Sequence, residues 1–284
     1  MTRVVAAVDG SPVSGEVLRA AVVLAELLGA QAEALYVGSA PAHDLQCMAD
    51  ATGVRLTCRD GLAAVELSEV LREPDVVLGV VGTSGVGETK SAEGHTAASV
   101  MSGADKPLLV VPPGSFPPRR RHIHRALVPL DGRQESADAV EAVLRLLSEV
   151  GVDIVVVHVF DQAPVPSFRD QPQHAAPVWE RAFLNRNLPF QRARLHLRQG
   201  KAASEILQTA HDQGPDLVVV GWSQDLSAGH ARTLQDLLST CGLPVLLLPA
   251  VARTMVAADV VAGPVIDLTQ VSPAASRAGS GGES

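Results

Sequence analysis

The sequence predicts an α/β protein built from two tandem copies of one module, each a parallel sheet covered by helices on both faces. The first observation is a repeated segment: residues 3–10 read RVVAAVDG, and residues 125–132, which begin 122 positions later, read RALVPLDG. The second is that each copy closes on an apolar run after proline, at 107–112 and 244–249. The third is that short apolar runs alternate with segments of helical periodicity, which is typical of parallel sheets wound by helices. Landmarks that recur in the same order indicate a duplicated structural unit.

In the first copy, apolar runs and breaker residues define each element in turn. Residues 4–8 form a short continuous apolar run, as buried parallel strands do. Apolar residues then recur at helical spacing up to residue 28, and Gly29 follows as a helix-ending residue. Pro74 marks the end of a later helix. The predicted elements are strand 4–8, helix 12–28, strands 32–37 and 54–58, helix 62–72, strand 75–81, a short helix at 96–102 and strand 108–111.

The second copy repeats this succession with one insertion. From the aspartate that ends its first strand to the glycine that precedes its second helix there are 69 positions, against 52 in the first copy. The additional residues fall mostly at 161–179, a proline-rich stretch for which a lid, a partner surface and an ordinary ordered insertion remain open. The predicted elements are strand 126–130, helix 135–150, strands 153–160 and 193–197, helix 202–213, and strands 216–220 and 245–248.

These landmarks give the domain boundaries. We predict a first domain at 1–112 with a glycine-rich loop, a linker rich in proline and arginine at 113–124, a second domain at 125–250 whose loop is degenerate, and a tail at 251–284. The tail is rich in alanine, glycine and serine, so we expect it to be disordered. The basic run at 119–125 suits a solvated linker, a phosphate contact or a metal site at its histidines.

Composition narrows the class of protein. The chain has 284 residues and a net charge of −8, which argues against a general binder of nucleic acid or of anionic membranes. No stretch reaches the 18 apolar residues of a membrane span, and the N-terminal apolar run is too short for a signal peptide. The three cysteines have no metal or redox spacing. We therefore expect a soluble cytoplasmic protein.

Polar and glycine residues follow two strands whose carboxyl ends we expect to meet. In a doubly wound sheet, ligands bind beyond the carboxyl ends of the strands, where the strand order reverses. Asp9 ends the first strand, and Gly82, Gly85 and Gly94 bracket the loop after the fourth, with the helix near Thr96 aiming its N-terminus at the same place. Backbone N–H groups of such a loop can hold an anion. Two interpretations stay open: a nucleotide site, or an aspartate that caps a helix beside glycines that only form a turn.

The same residues resemble the universal stress protein family. The order Val-Asp-Gly-Ser, helix, strand, a helix led by glycine, Gly-x-x-Gly and a final strand after proline covers about residues 3–112, and 125–249 more loosely. The resemblance implies Rossmann-like (adenine nucleotide alpha hydrolase-like) domains, each with a five-stranded parallel sheet. It also implies ATP, with or without Mg²⁺, as the ligand. In that arrangement Asp9 faces the nucleoside, Val37 offers main-chain contacts to adenine, and the glycine-rich loop holds the phosphates.

The loop departs from the family pattern of Gly-x2-Gly-x9-Gly-(Ser/Thr). Gly82 and Gly85 match, but Gly94 follows after eight residues and His95 replaces the hydroxyl residue. Thr96 comes one place later and takes that role if the loop shifts. His95 either adds positive charge near the phosphates or faces solvent.

The second copy departs further. Gln224 stands where the second glycine belongs, so we expect this site to be lost and Asp131 to be a remnant or a helix cap. Trp222 either stacks on a ligand or packs in the core. By the resemblance, the second copy serves as a pseudo-partner of the first through strands 108–111 and 245–248, which gives a pseudo-dimer within one chain. A further homodimer stays open.

Three functions follow, in order of support. The first is a cytoplasmic stress-response regulatory protein that binds adenine nucleotide in its first domain and, through a conformational change, alters a surface for an unidentified protein partner. The second is a protein-interaction module of the same fold without nucleotide. The third is an enzyme of the same fold that hydrolyses ATP, at most weakly, or transfers a nucleotidyl group. It has the least support, because the sequence has no Walker-type lysine motif, no nucleophile elbow and no clustered metal ligands.

Overall fold

The computed structural model of the chain describes residues 1–83, 97, 99–101, 103–160, 176–188, 193–222 and 230–250. Its strands are β1 (Arg3–Val8), β2 (Gln31–Val37), β3 (Arg55–Arg59), β4 (Val76–Gly82), β5 (Leu108–Val111), β6 (Arg125–Pro129), β7 (Asp153–Phe160), β8 (Ala193–Gln199), β9 (Leu217–Trp222) and β10 (Val245–Pro249). Its helices are α1 (Ser14–Leu28), α2 (His43–Thr52), α3 (Ala63–Arg72), α4 (Gln134–Glu149), α5 (Ala176–Asn187), α6 (Ala202–Gln213) and α7 (His230–Thr240).

The strands form a single ten-stranded sheet in the order β3-β2-β1-β4-β5-β10-β9-β6-β7-β8. Within each half the strands are parallel and the internal order is the same, which confirms the predicted α/β fold class with two five-stranded parallel units. The two units join where β10 pairs with β5 in the antiparallel sense, with Val245 opposite Val110 and Leu247 opposite Leu108. This is the strand pairing that the family resemblance implies.

Both faces of the sheet are buried, as the valine-rich strands predict. Along β1, Val4 and Val8 pack into the apolar cluster on the α1 side, whereas Val5 packs into the cluster on the α3 side. Helix α1 contributes a broad apolar face, and Leu18 is fully buried there. It ends at Gly29, whose φ of 62° places it in the left-handed region that glycine adopts at low cost, so the predicted helix end is confirmed.

Three helices are absent from the sequence-based prediction: α2, α5 and α7. Helix α2 buries only Leu45 and Ala49, so its sequence carries a weak periodic signal. Helix α5 overlaps the end of the stretch predicted as an insertion, and residues 161–175 of that stretch lie outside the described part of the chain. The described residues of the short helix predicted at 96–102 are helical, and the tail at 251–284 lies outside the described residues. None of the described helices has both the length and the apolar character needed to cross a membrane.

The linker between the halves is tied to helix α1. The Glu16 carboxylate accepts hydrogen bonds from the backbone N–H groups of Gly114 (2.8 Å) and Phe116 (2.7 Å). The Arg19 guanidinium donates to the Phe116 carbonyl oxygen at 3.2 Å, and the Phe116 side chain is buried. The linker is therefore packed against α1 at Ser115 and Phe116, which are both buried.

The end of the linker is tied to the second half by Asp216. Its carboxylate accepts hydrogen bonds from the backbone N–H groups of His124 (2.7 Å) and Arg125 (3.2 Å), and it pairs with the Arg120 guanidinium at 3.3 Å. The solvated linker predicted for the basic run holds for the exposed residues Arg119 and Arg121 but not for Arg120. The linker thus bridges both halves through carboxylates that each hold two backbone N–H groups.

Replacing Glu16 by glutamine tests this attachment. Glutamine keeps one acceptor oxygen but presents its own N–H groups to the second backbone donor, and it removes the negative charge from both hydrogen bonds. We expect the variant to lose about 1–3 kcal/mol of unfolding free energy, measured by urea denaturation. Exposed Glu69 is the matched control, and we expect Glu69→Gln to change stability by about 0.5 kcal/mol or less. Equal denaturation midpoints for the Glu16 and Glu69 variants would show that the linker is held by other contacts.

Candidate functional site

A cavity of about 270 Å³ opens at the carboxyl ends of β1, β2 and β4. The strand order of the first half reverses between β1 and β4, so the cavity lies where doubly wound sheets bind ligands. Its walls are mostly apolar and come from four directions: Val8 of β1, Leu35 of β2, Val17 of α1 and Leu67 of α3. Polar groups enter from the turn between β1 and α1.

Asp9 forms the polar corner of this cavity. Its Oδ1 atom accepts hydrogen bonds from the Ser11 backbone N–H and the Ser14 hydroxyl, both at 2.9 Å. The Ser14 hydroxyl oxygen in turn accepts from the backbone N–H groups of Asp9 (3.3 Å) and Gly10 (3.1 Å). Gly10 has a φ of 83°, which permits the tight turn. The result is a closed loop of hydrogen bonds around the buried Ser14 side chain.

These contacts decide between two roles for Asp9. Helix α1 starts after Val13 with no side-chain cap, and the Asp9 carboxylate bonds to the Ser14 hydroxyl rather than to a backbone N–H of the first helical turn. Asp9 is therefore not a helix cap. Neighbouring atoms displace part of its hydration, which by itself raises the pKa, but the polar groups of Ser11 and the Ser14 hydroxyl outweigh this effect and lower the pKa of Asp9 below its ordinary value. The carboxylate is ionised at neutral pH.

One oxygen atom at this corner is open to a ligand. The Asp9 Oδ2 atom forms no hydrogen bond among the described residues, and Asp9 is exposed at the cavity mouth. The Ser11 Oγ atom is buried and has no hydrogen-bond partner in the described part of the chain. Ser11 does not line the cavity, so its hydroxyl belongs to the turn rather than to the cavity wall.

The structure brings together three of the predicted site residues. Asp9, Val37 and Gly82 all line the cavity. A Cβ atom at Gly82 would lie 2.6 Å from Val13 Cγ1, so this glycine allows β4 to approach α1 closely and is a strand residue rather than a turn residue. The other four predicted residues, Gly85, Gly94, His95 and Thr96, lie outside the described residues. Buried Ala97, which follows them, lines the cavity.

The corresponding corner of the second half is built differently. Arg133 takes the place of Ser11, and its backbone N–H donates to Asp131 Oδ1 at 3.0 Å while its guanidinium lies 3.6 Å from Oδ2. Both carboxylate oxygens thus face the neighbouring arginine. Trp222 is buried among the side chains of α7 and β10, so it packs in the core. Gln224 lies outside the described residues.

An aromatic cluster that the sequence analysis missed lies beside this second corner. It stands at the end of β7 and on α5 and consists of His158, Phe160, Trp179 and Phe183, with ring centroids 4.8 to 5.8 Å apart. His158 Nδ1 donates to the Leu130 carbonyl oxygen at 2.7 Å, which fixes the ring. The described part of the insertion therefore packs on the sheet through Trp179. In the sequence, this aromatic cluster is signalled by a concentration of aromatic residues in a chain that has few elsewhere.

Comparisons with known proteins agree with the fold described above. Residues 122–249 match the model of the Universal stress protein family. These residues form the second half of the chain, which departs further from the family's loop pattern. The fold is similar to that of a universal stress protein from Archaeoglobus fulgidus DSM 4304, with 15% identity, a TM-score of 0.63, and coverage of 87% of this chain and 96% of that one. It is also similar to a functionally unknown protein from Pseudomonas aeruginosa PAO1, with 16% identity, a TM-score of 0.64, and coverage of 91% and 95%. No curated protein matches the sequence. At these identities the likeness shows a shared fold.

The lowered pKa of Asp9 predicts a pH-dependent stability difference. A carboxylate whose pKa is lowered by folding adds stability above its unfolded value, about 3.9, and loses that contribution as the pH falls through the folded value. Asparagine resembles the protonated form, so we expect Asp9→Asn to be destabilised at about pH 7 and the difference from the wild type to narrow below about pH 4. Urea denaturation over this pH range measures it.

Asp131→Asn is the matched control for this measurement. Among the described residues, the ion-pair partner of Asp131 is the exposed Arg133, and exposed ion pairs contribute about 1 kcal/mol or less. We expect Asp131→Asn to lose less unfolding free energy at neutral pH than Asp9→Asn does. A wild-type advantage over Asp9→Asn that stays constant down to about pH 3 would contradict the assignment of the lowered pKa to Asp9.

Proposed function

We propose that this chain is a tandem protein of the universal stress type that binds an adenine nucleotide, ATP with or without Mg²⁺, in its first half. The observation that carries the proposal is the apolar cavity at the strand-order reversal, with the ionised carboxylate of Asp9 at its mouth. The family match of residues 122–249 and the fold of the whole chain support the assignment. The role is regulatory and cytoplasmic: binding changes a surface that a protein partner recognises.

The chemistry of the cavity suits a nucleoside. Apolar side chains on several sides, among them Leu35 and Val17, suit the faces of a planar base. The free Oδ2 atom of Asp9 suits a ribose hydroxyl, which is a donor. Val37, the last residue of β2, is placed to offer main-chain groups to the base edge.

The volume suits the nucleoside portion rather than a whole nucleotide. Ligand cavities usually measure about 300–1,000 Å³, and this one is about 270 Å³. We therefore infer that the phosphates extend past Gly82 toward the segment that contains Gly85, Gly94, His95 and Thr96. In this proposal the backbone N–H groups of that segment hold the phosphates, and Thr96 supplies the hydroxyl that His95 displaces.

Helix α1 gives the proposal a route to regulation. Val13, Ser14 and Val17 line the cavity, and Glu16 and Arg19 of the same helix hold the linker. A nucleotide that binds more tightly to one placement of α1 shifts the population of linker conformations by that difference in affinity. The linker and its attachment to Asp216 would carry the change to the second half.

A second candidate is a protein-interaction module without nucleotide. The observation that favours it is the closed hydrogen-bond loop of Asp9 and Ser14, which needs no ligand to satisfy Asp9 Oδ1. In that case Asp9 holds the turn before α1 and the glycine-rich loop plays no part in binding.

Calorimetric titration of ATP, with and without Mg²⁺, separates the two candidates. We expect binding near one nucleotide per chain. Asp9→Ala removes the acceptor of a ribose hydroxyl, and hydrogen bonds to charged groups contribute about 1.5–3 kcal/mol, so we expect the affinity to fall roughly ten- to hundredfold. Gly85→Val blocks the close approach of the backbone to a phosphate. We expect it to lower the affinity for ATP while changing the affinity for adenosine little.

Asp131→Ala is the matched control, because it removes the equivalent carboxylate of the second half. We expect it to leave ATP affinity within about twofold of the wild type. Freshly purified protein should be denatured and its supernatant chromatographed as well, to detect nucleotide carried through purification. No nucleotide and no heat at millimolar ATP would overturn the proposal in favour of the interaction module.

A further inference from the structure

A second cavity of about 410 Å³ lies away from the first, between α1, the end of α2 and the linker. Its apolar side is formed by Val22 and Val23 of α1. Its polar side combines one arginine of α1 with three consecutive basic residues of the linker: Arg19, Arg120, Arg121 and His122. The proposed nucleotide function makes no use of this cavity.

The three arginines of this cavity outnumber the carboxylates near them. Arg120 pairs with Asp216, but neither Arg19 nor Arg121 forms an ion pair with a carboxylate among the described residues. Glu26 is the one carboxylate among the lining residues. The cavity therefore gathers positive charge on a chain whose net charge is −8. Like charges that converge repel one another, so an anion that enters among them gains from each.

Two of the guanidinium groups are held in place before any ligand binds. Arg19 donates through Nε (3.4 Å) and Nη2 (3.2 Å) to the Phe116 carbonyl oxygen, and no hydrogen bond of its Nη1 is found among the described residues. Arg120 donates to the Ser115 carbonyl oxygen at 3.0 Å and lies 5.6 Å from the centre of the Phe116 ring. Side chains already held by the fold lose little conformational freedom when a ligand arrives. Arg121 is exposed and free to close on the ligand from the linker side.

We propose that this cavity binds a small organic molecule through a phosphate or pyrophosphate group. Guanidinium groups bind phosphate oxygens through paired hydrogen bonds, and arginines from two different segments give such a group donors on more than one side. The volume of about 410 Å³ is within the range of small-molecule sites, and the valines leave room for an apolar part of the ligand. The site is distinct from the cavity at Asp9.

Calorimetric titration of inorganic pyrophosphate at low ionic strength tests this inference. We expect one site per chain in this cavity, with an affinity that falls as salt is added. Arg121→Gln removes a free cation with little risk to the fold, because the residue is exposed. A charged hydrogen bond to phosphate contributes enough that we expect the affinity to weaken about tenfold. Glu26→Gln removes the opposing carboxylate, and we expect it to tighten binding about threefold.

Arg119→Gln is the matched control, since Arg119 is an exposed linker arginine two residues away that does not line the cavity. We expect it to leave pyrophosphate affinity within about twofold of the wild type. Equal weakening by Arg119→Gln and Arg121→Gln would mean diffuse attraction rather than a site, and would overturn the proposal. An absence of binding at millimolar pyrophosphate would also overturn the proposal. So would a loss of pyrophosphate affinity in Gly85→Val with none in Arg121→Gln. The variants of Arg119, Arg121 and Glu26 leave every residue of the proposed nucleotide site unchanged, so the ATP titration can fail or succeed independently.

Discussion

The antiparallel pairing of β5 with β10 is the contact on which the architecture depends. Leu109 lies opposite Leu246 at its centre, and both strands are fully buried. Each half alone would expose one of these apolar strands as an open edge, which invites association with other chains. The pairing covers both edges at once and makes one sheet of ten strands. Because it is antiparallel, the carboxyl ends of the two sets of parallel strands point in opposite directions, so the corners that hold Asp9 and Asp131 lie at opposite ends of the strands.

The duplicated corners have the same backbone turn but present different side-chain chemistry. In the first half, Ser11 and Ser14 organise the Asp9 carboxylate and leave its Oδ2 atom open. In the second half, the backbone N–H of Arg133, at the position of Ser11, donates to Asp131 Oδ1 as Ser11 does to Asp9, but the arginine guanidinium lies beside Oδ2. An ion pair of this kind, even a weak one, competes with a sugar hydroxyl for the Oδ2 atom. The backbone turn is retained, since Gly10 and Gly132 have φ values of 83° and 82°, while the chemistry it presents has changed.

The sheet could be predicted from the sequence because each strand is marked by its own few residues. Buried parallel strands are continuous apolar runs, and the repeat supplied the topology, so β7 and α6 were predicted with the bounds that the structure has. Helix α2 was missed because it buries only two side chains against the rest of the fold. At the site, Asp9 and Gly82 were predicted from their places after strands. The role of Ser14 was not, since it depends on a hydroxyl that hydrogen-bonds back across five residues to Asp9, and a single sequence records no such contact. The attachment of the linker to Glu16 was missed for the same reason, because its partners lie about 100 residues apart.

Helix α1 connects these features, because it forms a wall of both cavities. Val13, Ser14 and Val17 line the first cavity, whereas Arg19, Val22, Val23 and Glu26 line the second. At about 100° per residue, these two sets occupy opposite sides of the helix. The linker follows the helix along the second side, from its anchor at Glu16 to the residues that face Glu26. A ligand that favours one placement of α1 would alter the affinity of the other cavity, and thermodynamic linkage requires that coupling to be equal in both directions. A nucleotide at Asp9 and a phosphate at Arg121 would thus communicate through the position of a single packed helix rather than through a chain of side-chain contacts.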